Sequence, residues 1–415
     1  MIGPMRDEIA LPGMEVVEHT FDVPLEHHDP GGQRISVFAR ELAAPGGRER
    51  PFLVFLQGGP GFEAVRPTRR PDSPGWVGRA LEEYRVLLLD QRGTGRSTPI
   101  GTLPGRTPQQ QADYLALFRA DSIVRDAEWI RRELGVERWS VLGQSFGGMC
   151  VVSYLSLAPE GLREAFITGG LPPLGARIDD VYACTYERVL ERTRRYYRRY
   201  PADRERVLRL HDLLEGAGLT LPSGDRLTWR RLRQLGRGLG MSDGAEQLHY
   251  LVELPLDSPA FVHDLEAAEP FARNPIYAVL HEASWADGGV TRWSAERMLP
   301  AAFDAPDVFT GEHVYPWMFD DYRALQPLRD VAELLAERAW PRLYDADVLA
   351  TNQVPTAAAI YAEDMYVERA FSEETAQLIG GLRPWITNEY QHNGLRADGE
   401  RILDRLIELA RGPAS

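Results

Sequence analysis

The sequence predicts an α/β fold, a mostly parallel sheet covered by helices, with a mainly helical region inserted into it. Short apolar runs alternate with helical patterns up to about residue 170. From 171 to 335 the pattern is helical without convincing strand alternation, and strand patterns return after that. We therefore expect a first sheet part at 1–170, a helical cap at 171–335 and a second sheet part at 336–415.

The predicted strands form two groups along the chain. The first two runs resemble an antiparallel start, and the later runs are short and apolar, as is typical of parallel strands buried on both faces. The antiparallel strands are expected at 14–24 and 34–42. The buried parallel strands are expected at 52–57, 84–90, 139–143 and 165–169, and further strands are expected at 356–361 and 382–387.

Helical patterns lie between the strands and fill the insertion. In the first sheet part they are expected at 76–83, 107–134 and 146–158. In the cap they are expected at 181–200, 203–214, 228–239 and 243–254, and the first three of these are rich in arginine. An amphipathic helix at 398–411 closes the chain.

The composition and net charge of the chain argue against several classes of function. The chain has 415 residues, of which 44% are hydrophobic and 26% charged, as in ordinary globular enzymes. A formal net charge of −14 argues against nucleic acid or an anionic membrane surface as the main partner. Cys150 and Cys184 are too few for a disulfide framework. Neither a signal-peptide core nor a run of about 18 apolar residues is apparent, so we expect a cytoplasmic protein; composition does not predict the oligomeric state.

A sharp turn follows the apolar run 139–142. Ser145 is flanked by Gly143 and Gly147, which is the G-x-S-x-G pattern of a nucleophile elbow. The pattern also recurs in glycine-rich loops, but the strand before it and the helix after it favour the elbow. Such a turn raises the Ser145 hydroxyl to the top of the sheet and aims the Phe146 N–H at the same spot, where it can stabilise an oxyanion. We therefore expect an α/β-hydrolase fold with Ser145 as the nucleophile.

Two loops after earlier strands support this interpretation. Residues 57–61 read Gln-Gly-Gly-Pro-Gly, and glycines let backbone N–H groups approach a ligand. In this fold that loop supplies the second oxyanion donor, which we assign to Gly59 with Gly58 as the alternative. A simple tight turn is the other interpretation. The next loop lacks the G-K-[ST] ending of a phosphate loop, so we expect Asp90 and Arg92 to brace neighbouring loops.

A serine nucleophile needs a base, and the base needs an orienting acid. In this fold the acid follows the serine in the chain and the histidine follows the acid. Of the nine histidines only His392 lies beyond the predicted cap, in the loop after the strand at 382–387. The acid should follow the preceding strand, where we choose Asp364 and keep Glu363 as the competitor. A surface histidine without a role is the alternative for His392.

Five motifs together resemble those of the proline iminopeptidases, a serine peptidase family. They lie at 57–61, 90–93, 143–148, 363–367 and 388–396. The resemblance runs over nearly the whole chain and is looser from 171 to about 273. One departure is Gln57, where the family usually has His before Gly-Gly-Pro-Gly; this change leaves the backbone donor in place.

The resemblance implies a serine aminopeptidase that releases N-terminal proline through an acyl-enzyme intermediate. It implies Ser145, Asp364 and His392 as the catalytic triad, with no metal or organic cofactor. The partner would be a small peptide with a free N-terminal proline.

The substrate's charged N-terminus would need carboxylates beyond the scissile carbonyl. The family uses cap glutamates for this, and the residues that resemble its motifs are Glu282 and Glu312. Aromatic residues near them, among them Tyr315 and Trp317, could form the wall of a pocket for the pyrrolidine ring. Solvated or salt-bridged glutamates and ordinary packing inside the cap are the alternatives.

Two other functions stay open at this point. One is an α/β-hydrolase of broader specificity, such as an esterase, an amidase or another aminopeptidase. An epoxide hydrolase is disfavoured because its elbow nucleophile would be Asp. The other is a hydrolase scaffold that binds a small ligand without catalysis, which an intact Ser, Asp and His in the expected order disfavours.

Overall fold

The computed structural model describes residues 5–68 and 74–412. Its strands are numbered along the chain. They are β1 (Met5–Leu11), β2 (Met14–Pro24), β3 (Arg34–Ala43), β4 (Phe52–Leu56), β5 (Arg85–Leu89), β6 (Trp139–Gln144), β7 (Leu162–Thr168), β8 (Leu219–Thr220), β9 (Arg226–Leu227), β10 (Thr356–Tyr361) and β11 (Arg383–Thr387).

One sheet of nine strands carries the fold, in the order β1-β2-β3-β5-β4-β6-β7-β10-β11. From β1 to β5 the neighbouring strands pair antiparallel. From β5 across β4, β6, β7 and β10 to β11 they pair parallel. All residues of β4 and β10 are buried, as expected of strands covered on both faces. The predicted antiparallel start and mostly parallel sheet are therefore confirmed.

The α-helices are also numbered along the chain. They are α1 (Gly75–Leu81), α2 (Pro108–Leu115), α3 (Ala120–Glu133), α4 (Phe146–Leu157), α5 (Ile178–Arg199), α6 (Pro201–Glu215), α7 (Trp229–Arg233), α8 (Gly244–Val252), α9 (Pro259–Ala268), α10 (Pro275–Trp285), α11 (Ser294–Arg297), α12 (Met318–Asp321), α13 (Arg329–Ala336), α14 (Ala346–Ala350), α15 (Arg369–Leu378), α16 (Gly394–Ala397) and α17 (Gly399–Arg411). Short 3-10 helices lie at Ala116–Phe118, Pro159–Gly161, Gln234–Gly240, Ala301–Asp304 and Gln326–Leu328.

Helices cover both faces of the sheet. α1 and α17 pack together on one face, and α3 packs against α4 on the other. The buried side chains of α17 include Ile402, Leu403 and Leu406, which recur at helical spacing and form the predicted apolar face. Each fully buried leucine of this kind stabilises the fold by roughly 1.5–3 kcal/mol. This packing holds the sheet edge, where the strand-end loops meet, in a fixed position.

Two strand features differ from the sequence prediction. β1 was not expected, yet it pairs with β2 along its whole length through the turn that contains Gly13. The hairpin of β8 and β9 interrupts a region predicted to be helical only, and each of its strands has two residues. Strands of that length are too short to show alternation, so the sequence pattern could not reveal them.

The helix predicted at 107–134 is divided in the structure. α2 ends at Leu115, a 3-10 turn follows, and Arg119 is extended, with φ −84° and ψ 175°, before α3 begins. The Arg119 side chain is buried and donates to the carbonyls of Ala286 and Pro341. Neither glycine nor proline marks this break. It follows from a tertiary contact that local sequence does not encode.

Between β7 and β10 the described regular elements are helices, apart from the hairpin of β8 and β9 and an isolated bridge between Gly289 and Trp340. The cap helices predicted at 181–200, 203–214 and 243–254 correspond to α5, α6 and α8, and the one at 228–239 is α7 continued by a 3-10 helix. The cap boundaries at 171 and 335 stay a prediction. Among the described helices, none combines the length and the apolar character needed to cross a membrane.

Candidate active site

Ser145 lies at the turn between β6 and α4 with φ 56° and ψ −126°. A positive φ is uncommon for a residue with a side chain and costs about 1–3 kcal/mol, so its surroundings must hold it. The flanking glycines allow this. A Cβ on Gly143 would lie less than 3.0 Å from the Gly147 backbone, and a Cβ on Gly147 would lie less than 3.0 Å from the Leu56 carbonyl. The crowded turn expected from the sequence is present.

Two late loops bring an acid and a histidine to this serine. Asp364 follows β10 and His392 follows β11. The His392 Nε2 lies 2.9 Å from the Ser145 Oγ, and its Nδ1 lies 2.7 Å from the Asp364 Oδ2. Because an ionised carboxylate only accepts hydrogen bonds, Nδ1 carries the proton and Nε2 is free to accept one from the serine hydroxyl. Three side chains from distant parts of the sequence thus form one hydrogen-bonded chain.

The backbone fixes the orientation of Asp364. Its Oδ1 accepts from the Tyr366 N–H at 2.8 Å and from the Val367 N–H at 3.1 Å, which leaves Oδ2 for the histidine. Glu363 is placed differently: its side chain is 40% exposed and pairs with Arg195, whereas the Asp364 side chain is 1% exposed. Of the two acids considered, Asp364 is therefore the one that contacts the histidine.

The electrostatic surroundings favour a charged imidazole once it has accepted a proton. Burial alone would lower the pKa of His392, because the imidazolium would lose hydration. The Asp364 carboxylate outweighs this effect and Glu312 adds to it, so the pKa of His392 is raised above its ordinary value of 6.5. A base with a raised pKa in contact with a hydroxyl is the arrangement of an activated nucleophile.

The loop after β4 packs directly on the serine. A Cβ on Gly58 would lie 3.0 Å from the Ser145 Cβ, so this position has no room for a side chain. Gly59 has φ 134°, which glycine adopts without strain. The Phe146 N–H is in the first turn of α4, where a helix leaves its N–H groups without intrahelical acceptors. Their roles as oxyanion donors, and the choice of Gly59 over Gly58, stay predictions.

The loop that begins at Asp90 braces its neighbours, as predicted. The Asp90 carboxylate accepts from Arg66 at 2.8 Å, and the Arg92 Nε donates to Asp126 at 2.7 Å. A glutamine amide of the same loop donates to the Gln57 carbonyl at 3.0 Å. The loop therefore supports the glycine-rich turn beside the serine.

Glu312 lies on the cap side of the site. Its Oε1 accepts from the Tyr277 hydroxyl, and its Oε2 lies 3.7 Å from the His281 Nε2. Burial would raise the pKa of Glu312, but His281, Tyr277 and the charge on His392 outweigh it, so the pKa is lowered. Sequence reasoning gave Tyr277 and His281 no role, although their spacing of four residues on α10 places them on one helix face.

A buried histidine next in sequence holds the loop that carries Glu312. The His313 Nδ1 accepts from the Gly311 N–H at 3.2 Å, and its Nε2 lies 3.0 Å from the Thr185 Oγ1 on α5. Burial lowers the pKa of His313 to about 3, so this ring is neutral at ordinary pH. The loop is thus fixed to α5 by a neutral ring.

Glu282 has different surroundings from Glu312. It follows His281 on α10, and consecutive helical residues point about 100° apart. Its Oε1 accepts from the Ala295 N–H at 2.8 Å, and among the described residues its buried Oε2 has no hydrogen-bond partner. Burial raises the pKa of this carboxyl. It also borders a cavity of about 20 Å³ with mainly apolar walls. No hydrogen bond among the described residues joins the two glutamates.

The two predicted aromatic residues stack on each other. The rings of Tyr315 and Trp317 have centroids 5.7 Å apart and are nearly parallel. The Tyr315 hydroxyl lies 2.9 Å from that of Tyr186, and Arg230 lies over the Trp317 ring at 4.8 Å. Tyr315 is buried and Trp317 half-buried. Contact of either ring with a substrate stays a prediction.

Cys150 and Cys184 are free thiols, the first buried and the second half-buried. Within 5–68 and 74–412, no group of three or more His, Cys, Asp and Glu side chains has the arrangement of a metal site.

Comparison with known proteins agrees with this geometry. A family model described as the alpha/beta hydrolase fold matches residues 51–395. A proline iminopeptidase from Aeromonas sobria is 49% identical over 97% of this chain and 98% of its own length. The proline iminopeptidase aneH from Aspergillus aculeatus is 35% identical over 94% of this chain and 93% of its own.

A solved structure supports the fold alone. The crystal structure of esterase E22 superposes with a TM-score of 0.51 at 11% identity, covering 95% of this chain and all of that one. The fold prediction is therefore confirmed. The chain belongs to the proline iminopeptidase family, within the α/β-hydrolase fold.

Proposed function

We propose that this chain is a serine aminopeptidase that releases proline from the N-terminus of small peptides. The observation that carries the proposal is the hydrogen-bonded chain from Ser145 through His392 to Asp364, in a member of this family. The function implied by the sequence motifs and the one supported by the relatives are the same. A cytoplasmic location stays a prediction.

The first half of the reaction forms an acyl-enzyme. The Ser145 Oγ attacks the carbonyl of the N-terminal proline while the His392 Nε2 accepts the hydroxyl proton. Asp364, bonded to Nδ1, holds the ring and stabilises its positive charge. The N–H groups of Phe146 and Gly59 stabilise the oxyanion. His392 then gives its proton to the leaving amine of the shortened peptide.

The second half releases proline. Water takes the place of the leaving peptide, and His392 removes its proton as it attacks the ester of Ser145. The same oxyanion donors stabilise the second tetrahedral intermediate. Return of the proton to the Ser145 oxygen regenerates the enzyme, and the histidine alternates between base and acid with no cofactor in the scheme.

Recognition of the substrate's ammonium is proposed to rest mainly on Glu312. Its pKa is lowered, which favours the ionised form. Tyr277, which donates to Glu312, lies beside the glycine-rich loop, because a Cβ on Gly61 would lie 2.8 Å from the Tyr277 backbone nitrogen. A carboxylate there would accept charge-assisted hydrogen bonds from an imino-acid N-terminus. One Glu282 oxygen has no hydrogen-bond partner within the described part of the chain, and Glu282 is proposed as a weaker, second contributor. Tyr315 and Trp317 are proposed as aromatic walls near the ring.

A panel of reporter substrates tests this function. It contains prolyl and alanyl amides with free N-termini, N-acylated prolyl amide, and a small uncharged ester. We expect the free prolyl amide to have the highest kcat/KM and the N-acylated compound to be a poor substrate. Equal rates on prolyl and alanyl amides would indicate a broader aminopeptidase. Efficient cleavage of N-acylated proline would contradict the aminopeptidase proposal.

A further inference from the structure

One arginine of the cap helix α5, Arg192, bonds both to the loop that carries the acid and to the loop that carries the base. The Arg192 Nη2 donates to the Glu363 carbonyl at 2.5 Å and to the Gln391 Oε1. Glu363 immediately precedes Asp364, and Gln391 immediately precedes His392. One nitrogen of the cap thus ties together the residues that come just before two members of the triad.

This arginine differs from its neighbours on the same helix. Its side chain is 13% exposed, and its nearest carboxylate oxygen, on Glu363, is 3.6 Å away. Burial lowers the pKa of Arg192. Arg188 and Arg195 instead make close ion pairs, with Glu368 and with the Glu363 side chain. These two flanking arginines donate hydrogen bonds to carboxylates, whereas Arg192 donates to a carbonyl and an amide and makes only a longer ion pair with Glu363.

Other contacts also join the two loops. The Ala362 N–H donates to the Thr387 carbonyl at 2.8 Å, and the rings of Tyr366 and His392 have centroids 4.6 Å apart. Asp364 is held by backbone N–H groups of its own loop. The loop of His392 is held from the cap by the Gly240 carbonyl, which accepts the His392 N–H at 3.2 Å. The Arg192 guanidinium adds a contact from the cap to both loops, at the residues next to the acid and the base, and its donors lie in a rigid plane.

We infer that Arg192 is a positioning residue for the Asp364–His392 pair, so that the spacing of acid and base depends on α5 of the cap. The inference rests on the proposed function, because it assumes that this pair activates Ser145. A displacement of about 1 Å at a catalytic group can lower the rate on the order of 100-fold. Loss of the bridge should therefore reduce catalysis while leaving substrate binding intact.

The test compares Arg192→Met with Arg195→Met as a matched control. Both variants replace an arginine of α5 with methionine, which keeps a long apolar side chain but lacks the guanidinium. Only Arg192→Met removes the contact with Glu363 and Gln391. For each variant we would measure kcat and KM on the free prolyl amide and the rate at which a fluorophosphonate labels Ser145. We expect Arg192→Met to lower kcat and the labelling rate about tenfold or more, with KM nearly unchanged. Arg195→Met should change each less than about twofold.

Several outcomes would overturn the inference. Labelling of Arg192→Met at the wild-type rate is one, and an equal loss in Arg195→Met is another. A rise in KM with kcat unchanged would assign Arg192 to substrate binding instead. If Arg192→Met does not fold, Gln391→Met removes one arm of the bridge from the other side, and wild-type labelling of that variant would also overturn it. Absence of labelling in the unmodified protein would instead reject the proposed triad.

Discussion

The catalytic end of the candidate site and its proposed ammonium site are built from different parts of the fold. Sequence motifs can assign residues at the first, whereas at the second the packing of the cap decides which side chains reach the site. At the triad, Ser145, Asp364 and His392 each follow a strand of the same sheet. At the proposed ammonium site, Glu282 and Glu312 lie on a helix and a loop of the cap. Sequence reasoning treated the two glutamates as equivalent. The structure gives them different partners, burial and pKa directions.

The geometry of the elements explains the contrast. Parallel strands of one sheet end at the same edge, so side chains just beyond them meet there whatever covers the sheet. On a helix, neighbouring residues point about 100° apart. His281 therefore faces Glu312, while Glu282, one position later, binds the Ala295 N–H. In the cap, a match to a family motif identifies only the segment that lies near the site. The orientation of the helix about its own axis then decides which of its side chains points toward the site.

The largest expected effect is at the triad. Asp364→Asn should lower kcat by about 10⁴, because an amide cannot hold the required tautomer of His392. Ser145→Ala should lose at least as much. Glu363→Gln is the control: it weakens an exposed ion pair and should change kcat less than about threefold. Steady-state kinetics on the free prolyl amide measures all three, with circular dichroism as the check on folding. A larger loss in Glu363→Gln than in Asp364→Asn would contradict the assignment of the acid.

A smaller effect is expected at the ammonium site. Glu312→Gln should lower kcat/KM on the free prolyl amide about 10- to 100-fold, because a hydrogen bond between charged groups is replaced by a weaker one. Hydrolysis of a small uncharged ester should barely change. The ratio of the two activities therefore isolates amine recognition.

Glu282→Gln tests whether the second cap glutamate has the same role as Glu312. A glutamine oxygen can still accept from the Ala295 N–H, so we expect a loss on the prolyl amide smaller than that of Glu312→Gln. Thermal unfolding of both variants separates recognition from cap stability. A selective loss on the amide as large as that of Glu312→Gln would show that both glutamates bind the ammonium directly. Equal losses on both substrates would assign Glu282 to the cap fold.

The smallest expected effect is a shift in pH dependence. His392 must be neutral to accept the serine proton, so kcat/KM is lost as pH falls through its pKa. Because Asp364 and Glu312 raise that pKa, the acid limb should lie above about 6.5, the ordinary histidine value. The limb should appear for amide and ester alike, since both use the same base. A flat profile between about pH 5 and 8 would argue against a histidine base.

Local patterns predicted much of the sheet but missed elements that depend on distant partners. The buried strands and the elbow follow from runs of apolar residues and two glycines. β1 was missed, and the predicted helix at 107–134 is broken at Arg119, whose side chain reaches carbonyls far along the chain. The bridge of Arg192 could not be predicted for the same reason. On an arginine-rich helix, sequence alone cannot tell which arginine faces the triad loops.

The sequence by itself determined the fold class, the family and the order of serine, acid and histidine, because these depend on strand-end turns and short motifs. It favoured Asp364 over Glu363 as the acid. Tertiary structure decided which carboxylate contacts His392: that of Asp364 is buried against the ring, and that of Glu363 pairs with Arg195. Tertiary structure also decided which partners the two cap glutamates contact. Such choices depend on how helices pack and rotate against the sheet, and contacts between residues distant in the chain fix that arrangement.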